Sequence, residues 1–355
     1  MRYSSGRVLV ALSGGVDSTV CVQLLKDQGF SVEALVLRFS PAHEKAVAAA
    51  RQAAQQLDVP LTVRDCEPEF EREVIGPFCA EYCAGRTPNP CVICNPRVKF
   101  RLLCAAADEL GIPLVASGHY ARIARQDGAF YVRRAVSTAR DQSYMLYRLP
   151  QAILSRLLLP VGEFEKPEIR ERAAALGLAA ADAPDSQEIC FIPGGDYASY
   201  IEGRGCRGPA GRFIAPDGSV LGPHKGVLHY TVGQRRGLGV ALGRPAFVKR
   251  ILPGGDIELA FSGDEYYAAV QLTDLAETGI GLTPGGRYQV KIRSAAKPVP
   301  CTVAAREAHS ALVVFDEPAR APAPGQSAVL YRGDLLVGGG VISEILPQVP
   351  AGQRP

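Results

Sequence analysis

The feature that most constrains the fold is the hexapeptide Ser13-Gly14-Gly15-Val16-Asp17-Ser18, placed directly after the apolar run Val8 to Leu12 and directly before a helical pattern over Asp17 to Gln28. An apolar strand that turns through glycines into a helix is the opening unit of a parallel α/β sheet. Gly14 and Gly15 suit backbone angles that other residues resist, and they let main-chain N–H groups approach an anion. The helix N-terminus adds free donors and a positive dipole end. Ser13 and Ser18 add hydroxyls, and Asp17 either caps the helix or holds Mg2+ against phosphates. The Lys-Ser/Thr pair of the Walker turn is absent, which argues against γ-phosphate transfer.

The alternation continues downstream. Ser31 to Phe39, Leu61 to Asp65 and Ile112 to Ser117 read as strands; Glu44 to Leu57, Phe70 to Tyr82 and Phe100 to Leu110 read as helices; and Gly29 is a helix stop. From Gly203 onward Gly, Pro and short β-rich runs take over: Val227 to Val232, Ala246 to Leu252, Tyr288 to Ile292, Thr302 to Ala305 and Ala311 to Phe315. Such spacing predicts small antiparallel sheets or a barrel. Boundaries fall near Gly203 and Val270, giving 1–203, 204–270 and 271–355, with a disordered tail from Pro347. A length of 355 residues accommodates this.

No stretch of about 18 uninterrupted apolar residues occurs, so no membrane span is expected. The N-terminal apolar run leads straight into the glycine turn, without a signal-type cleavage site. The expectation is a soluble, cytoplasmic protein. In that setting the 10 cysteines point to reactive thiols, metal ligands or buried small hydrophobes rather than a disulfide framework.

Three cysteines stand out. Thr87-Pro88-Asn89-Pro90-Cys91-Val92-Ile93-Cys94-Asn95 stiffens its approach with two prolines and precedes the helix near Phe100. Cys94 is expected in a rigid loop before a helix N-terminus, where a thiol pKa falls and a thiolate nucleophile forms. Cys91 and Cys94 form a CxxC pair, which also suits redox or metal chemistry. Cys190, in Asp185-Ser186-Gln187-Glu188-Ile189-Cys190-Phe191-Ile192, sits where a polar loop turns into an apolar strand, a place where cysteines are more often buried and inert.

Net charge is only +3, but Arg204 to Arg250 holds Arg204, Arg207, Arg212, Lys225, Arg235, Arg236, Arg244, Lys249 and Arg250 against the single acid Asp217. That is either a patch for a polyanion or a face balanced by acids from elsewhere.

The turn resembles that of the PP-loop ATP pyrophosphatases, which adenylylate a substrate oxygen and release pyrophosphate. Beyond it, the blocks SGGVDS (13–18), AGRTPNPCVICN (84–95), VKF (98–100), SGHYAR (117–122), RDQSYMLYRL (140–149), LPVGE (159–163), DSQEICFI (185–192), the HKGVLHYTVGQRRGLG run to Gly239, FDEP (315–318), PGQSAVLY (324–331) and GGG (338–340) resemble, in order and over nearly the whole chain, the tRNA-specific 2-thiouridylases.

The resemblance implies an α/β PP-loop domain with a parallel sheet, a small mixed or β central tRNA-binding domain and a C-terminal β-barrel-like domain. It implies Cys94 as nucleophile and Cys190 as the persulfide carrier or its pairing partner. ATP contacts would fall on Ala11, Leu12, Ser13, Gly14, Gly15, Val16, Asp17, Ser18, Leu37 and Gly118. The target base would meet Asn89, Pro90 and Cys91, and tRNA would meet His119, Arg140, Asp141, Gln142 and Gln326. Arg235 and Arg236 would then meet phosphates; His224, Lys225 and His229 could contribute, although for the two histidines a structural role stands beside this.

ATP, Mg2+ and a persulfide-carrying donor, either a cysteine desulfurase or a relay protein, follow as implied partners. The segment Arg38 to Val59 is shorter than in many members of the family, and Cys91 stands where some carry Asp. With Cys91, Cys94 and Cys190 together, a cluster reading stays open beside the persulfide one: three ligands on an iron–sulfur cluster whose open iron holds sulfide. The competing reading is another PP-loop pyrophosphatase acting on a small molecule.

Overall fold

A computed structural model describes residues 6–182, 189–192 and 194–349. It divides into two compact units: residues 1–74, 91–195 and 334–336, and residues 75–90, 196–333 and 337–355.

The first unit is built on a parallel sheet. Strand β1 (Gly6–Ala11) leads through the glycine turn to helix α1 (Val16–Asp27); β2 (Phe30–Arg38), α2 (Glu44–Gln56) and β3 (Leu61–Asp65) follow. Helix α3 (Glu67–Phe70) runs into a π-helical turn, Glu71–Ile75. Helix α4 (Gly76–Cys83) belongs to the second unit. Helix α5 (Pro90–Cys94), a second π-turn (Asn95–Lys99) and helix α6 (Phe100–Glu109) lead to β4 (Leu114–Ser117), the hairpin β5 (Ala121–Gln126) and β6 (Ala129–Arg134), helix α7 (Gln151–Leu154), β7 (Leu157–Leu158) and helix α8 (Lys166–Ala175).

Sheet order is β3-β2-β1-β4-β7, all parallel. Val8, Leu9 and Val10 have no exposed surface, as expected of a central strand covered on both faces. Neighbours of β1 run away in opposite directions, so the carboxyl ends of β1 and β4 form the switch point at which open α/β sheets bind ligands.

In the second unit, helix α9 (Tyr197–Gly203) precedes a four-stranded sheet ordered β10-β11-β8-β9, made of β8 (Arg212–Ile214), β9 (Val220–Pro223), β10 (Ala246–Ile251) and β11 (Ile257–Phe261). Six strands then close into a barrel: β12 (Tyr266–Glu277), β13 (Arg287–Lys291), β14 (Val299–Arg306), β15 (Ser310–Arg320), β16 (Ser327–Arg332) and β17 (Leu335–Leu346), in the order β12-β15-β14-β13-β16-β17, with β12 pairing β17. Val270, Val290, Val303, Val313, Leu330 and Val337 are fully buried in its core.

Four local expectations differ. Val227–His229 forms a 3-10 turn rather than part of a strand. The helix expected over Phe70 to Tyr82 is split by a π-turn. Cys94 closes a helix instead of lying in a loop. Ile189 to Ile192 is a turn, not a strand; Asp185, Ser186, Gln187 and Glu188 lie outside the described residues.

Candidate active site

The phosphate turn is held from three sides. Gly14 has φ +78°, and a Cβ there would come 2.5 Å from the Ala49 backbone and side chain, so helix α2 presses on the turn. Gly15 takes an ordinary extended conformation, φ −75° and ψ 159°, and a Cβ there would meet only the Ser13 Oγ, at 3.7 Å, so neither its backbone angles nor its packing requires glycine. Gly118, just past β4, approaches α1 so closely that a Cβ would fall 2.6 Å from the Ser18 N and 2.7 Å from the Asp17 C. Inside the turn the Ser18 hydroxyl donates to the Gly15 carbonyl at 3.0 Å and accepts from the Ser13 N–H at 3.2 Å. Its donor is therefore spent on shaping the loop, and the exposed Ser13 donates its own hydroxyl to the Ser18 hydroxyl at 3.1 Å, so the free donors of the turn are main-chain N–H groups. Ala11 is half-buried, Leu12 and Leu37 are buried, and Val16 starts α1.

Asp17 does not cap α1; Gly15 takes the N-cap position without a side-chain bond. The Asp17 carboxylate instead accepts from the Lys166 ammonium at 2.8 and 2.9 Å and from the Tyr120 hydroxyl at 2.7 Å. Lys166, at the first position of α8, is only 7% exposed. Tyr120 is fixed in turn by Gln142: the Gln142 side-chain carbonyl accepts the Tyr120 N–H at 2.8 Å, and the Gln142 N–H donates to the Tyr120 carbonyl at 2.7 Å. Asp141 accepts the Ala135 and Ser143 N–H groups and the Ser143 hydroxyl. Asp141 and Gln142, expected to touch tRNA, thus shape the loop that braces the turn. Arg140 donates its backbone N–H to Ser137.

The cysteines converge in the same unit. Pro96 has no N–H to continue the α5 hydrogen bonding, and the chain passes through a wider π-turn, a feature frequent at functional positions. Val98 and Phe100, both fully buried, anchor it. Cys94 stands at the N-terminus of the turn and Lys99 at its end.

Burial pushes the Cys94 thiol up to about 12; the Lys99 charge pulls it down, the Cys190 and Cys91 thiols add to the rise, and the Lys99 N–H bond lowers it. The expectation of a depressed pKa is therefore overturned: desolvation outweighs the helix terminus. Cys91 is raised by burial and lowered by Lys99. Cys190 is exposed as a residue, yet protein crowds its sulfur enough to lift the thiol to about 11, with Cys91 adding and Lys99 opposing. Its neighbour Phe191 is buried edge-on against Phe70, ring centroids 5.4 Å apart, and Phe70 stacks on Phe39 at 4.8 Å. That aromatic row seats the Cys190 segment.

Around the sulfurs, His119 is held well below its ordinary pKa by burial and by Lys99, and its Nδ1 lies 2.8 Å from the Ser117 hydroxyl. Asn95, 2% exposed, donates its side-chain N–H to the Met145 carbonyl at 2.9 Å, while its side-chain oxygen has no hydrogen-bond partner among the described residues. Lys99, Asn95, Tyr120 and Lys166 were missed as functional candidates. Lys99 and Tyr120 lie inside the recognised VKF and SGHYAR blocks, but only the folded chain shows what they face.

As for metals, among the described residues no group of three His, Cys, Asp or Glu side chains is placed to hold an ion. Cys91, Cys94 and Cys190 are neighbours without being a ligand set, and the one carboxylate of the turn is already ion-paired.

Other expected residues fall in the second unit. Asn89 and Pro90 follow Thr87, whose N–H bonds the Pro324 carbonyl and whose carbonyl accepts from the Gln326 side chain at 2.6 Å. Arg235 pairs with Glu265, a buried acid that also takes Arg320 at 3.2 Å; Arg212 pairs with Asp256 and Arg250 with Glu258. Much of the basic stretch is thus balanced by acids from beyond it, while Arg207, Lys225, Arg236 and Lys249 are exposed. His224 spends both ring nitrogens on the Gly255 carbonyl and Gly226 N–H, and His229 meets Glu202 at 3.1 Å, so both have structural partners.

Family models match three segments: one described as a tRNA methyl transferase HUP domain over residues 6–194, one as a tRNA methyl transferase PRC-barrel domain over 201–255, and one as an aminomethyltransferase beta-barrel domain over 275–342. The chain is 41% identical to the tRNA-specific 2-thiouridylase MnmA of Lachnoclostridium phytofermentans, covering 95% of this chain and 99% of that one. It is 42% identical to the protein of the same name from Carboxydothermus hydrogenoformans, over 96% and 98%. Among solved structures, the U34-tRNA thiolase NcsA of Methanococcus maripaludis matches 56% of this chain and 66% of that one at 15% identity and a TM-score of 0.36, too distant to bear on the site.

Proposed function

The chain belongs to the family of tRNA-specific 2-thiouridylases, ATP-dependent tRNA sulfurtransferases, and from that premise we propose how its own residues carry out the reaction. The single observation that carries the proposal is the shared electrostatic environment of Cys94, Cys190 and Lys99 in the unit that also holds the phosphate turn.

In the first half-reaction the uridine C2 oxygen attacks the α-phosphorus of ATP, and pyrophosphate leaves. The backbone N–H groups at the start of α1 receive the phosphates, and Lys166, held by Asp17, brings a buried cation against the turn. Mg2+ would accompany the phosphates and offset their charge; Asp17 is already paired with Lys166. The Asn95 oxygen is an acceptor suited to the imide N–H of a uracil ring. Unstacking the base to reach this site is the general requirement for chemistry on it.

In the second half-reaction a persulfide on Cys190, loaded by a donor protein, attacks C2 and AMP leaves. The Cys94 thiolate then attacks the Cys190 sulfur. The Cys94–Cys190 disulfide forms as the outer sulfur stays on carbon as the thione, and a thiol reductant resets the pair. Exposed Cys190 suits loading by a partner; buried Cys94, protonated at rest, suits a resolving role that begins when the site opens and Lys99 steadies the thiolate. The pairing of an exposed thiol with a buried one beside Lys99 supports this route over the iron–sulfur one. Exposed Arg236, Lys225 and Lys249 supply phosphate contacts to tRNA, with Gln326, Asn89 and Pro90 on the same unit. A division into 1–203, 204–270 and 271–355, and a cytoplasmic setting, complete the proposal; no helix among the described residues is long and apolar enough to cross a membrane.

The test is mass spectrometry of tRNA incubated with ATP and a sulfur source. Cys94→Ser and Cys190→Ser should each abolish 2-thiouridine while leaving tRNA binding intact. Thiolation that survives either change overturns the residue assignment, and activity that tracks iron content overturns the persulfide route.

A further inference from the structure

Arg244 lies two residues before β10, in the second unit, and is exposed. Its guanidinium carbon stands 3.4 Å from the centre of the Phe261 ring, so the planar group lies flat on that ring. Sheet register makes this contact. Ala246 of β10 pairs with Phe261 at the end of β11, and the Ser262 N–H donates to the Pro245 carbonyl at 3.1 Å. Pro245 fixes the backbone between Arg244 and the strand. A guanidinium stacked on a ring is held by the ring's negative face, while its N–H groups, all in its own plane, stay free for an anion.

Arg244 borders a cavity of about 270 Å3 together with Arg235, Gly237 and Gly239. No lining residue is acidic, and the remaining ones are apolar. The facing loop is anchored by Leu238, which is buried in the core of the four-stranded sheet with Phe213, Tyr230 and Val248. On either side of it Gly237 and Gly239 are left-handed, with φ +73° and +71°. Among the described residues, no main-chain N–H from 235 to 244 donates to a protein acceptor. Open donors beside left-handed turns form concavities that bind anions. Arg235 already meets Glu265, which leaves Arg244 as the uncompensated cation of the cavity.

We propose that this cavity binds one phosphodiester group of the tRNA backbone, with Arg244 as its cation and the turn around Leu238 as its main-chain donors. The assignment rests on tRNA being the substrate and adds a phosphate site built before the RNA arrives. The cavity is smaller than the roughly 300 Å3 at which pockets for whole small molecules begin. Apart from the two arginines, its side chains offer nothing to hydrogen-bond a sugar or a base, so the ligand is a charged group carried by a larger molecule. An RNA strand presents such groups in series. Stacking on Phe261 restrains the Arg244 side chain in advance, so less freedom is lost on binding.

Filter binding of tRNA to the full chain across a range of salt concentrations tests this, with a thermal melt of each variant. Arg244→Ala should weaken binding and lower the slope of log affinity against log salt by about one unit. Arg244→Lys should keep the slope, because the charge remains, yet bind more weakly, because an ammonium has no fork to offer two oxygens. Phe261→Leu should likewise keep the slope and lose affinity. Should Arg244→Ala melt early, Arg244→Gln keeps most of the stem that covers Phe261 and carries the same expectation. An unchanged slope in the Ala and Gln variants overturns the site. So does an unchanged slope accompanied by lost pyrophosphate binding in calorimetry, which would make the cavity a free-anion site. Failure of the tRNA reading looks different: the unaltered chain itself would then show no salt-dependent binding of tRNA.

Discussion

Lys166 places its ammonium 2.8 and 2.9 Å from the two oxygens of Asp17, so the carboxylate of the phosphate turn is neutralised before any ligand arrives. An uncompensated carboxylate there would repel the phosphates the turn is built to receive.

Lys166→Met removes that compensation. Because Asp17 is part-exposed, the loss of stability should be about 2 kcal/mol, below the range for fully buried pairs. The larger effect should be on ATP, with KM raised at least tenfold and Lys166→Arg recovering part of it. Equal loss in Met and Arg variants, or a fall in kcat alone, would show that the pair serves only to hold α8 to α1.

Gly118→Ala pushes a methyl group onto the Ser18 N–H and the Asp17 backbone. Backbone cannot yield as a flexible side chain would, so a cost of about 1–3 kcal/mol follows. Thermal melts should show it, together with weakened nucleotide binding measured by calorimetry. Gly15→Ala, with 3.7 Å of clearance to the nearest side chain, should melt near the unaltered protein.

Cys94 at about 12 against an ordinary 9.0 is protonated at neutral pH. In the absence of tRNA its alkylation by iodoacetamide should be slow at about pH 8 and rise steadily with pH. Lys99→Ala should slow it further at fixed pH, by about tenfold for each unit the thiol moves. A rate indifferent to this substitution would show that Lys99 does not steady the thiolate.

The buried thiols also set a pH dependence of stability. Cys66 stands at about 11 and Cys301 at about 12 in the folded chain, raised by burial from 9.0. Between those values the folded state keeps protons that the unfolded state has lost. Stability from these groups is therefore intact below pH 9 and declines as pH rises through 9 to 12. Urea midpoints should fall across that window. Cys301→Val should flatten the fall, and an unchanged slope would mean that barrel opening does not expose this thiol.

Arg236 is exposed, whereas Arg235 is paired with buried Glu265. Arg236→Ala should lower the salt dependence of tRNA binding by about one unit of slope. Arg235→Ala should act mainly on stability, by leaving the buried Glu265 carboxylate with Arg320 as its one remaining arginine. A reversal of the two effects in filter-binding titrations would relocate the phosphate contact.

How much was legible in the sequence differed by kind. The alternation of apolar runs and helical patterns from Val8 to Ser117 located the strands to within two or three residues, because a sheet covered on both faces leaves its imprint on every strand. Val227 to Val232 misled because a short apolar run with no period reads equally as a buried turn; here the 3-10 turn buries Val227 and Leu228 without pairing. At Cys94 the local rule, that a cysteine near a helix N-terminus is acidified, gave the wrong sign. Desolvation acts through all the atoms packed around the sulfur, and those come from distant parts of the chain. Asp17 was read as a cap or metal ligand because Lys166 lies 149 residues away.

By itself, then, the sequence determined the parallel sheet, the glycine turn that follows its first strand, the β-rich second half and the cysteines worth following, since each rests on local periodicity or on backbone freedom at single residues. Only the tertiary structure decided which charges face which groups: Lys166 on Asp17, Lys99 on three sulfurs, Glu265 beneath two arginines. Electrostatic coupling and desolvation depend on distance through space, which contacts between remote segments create and no local pattern encodes.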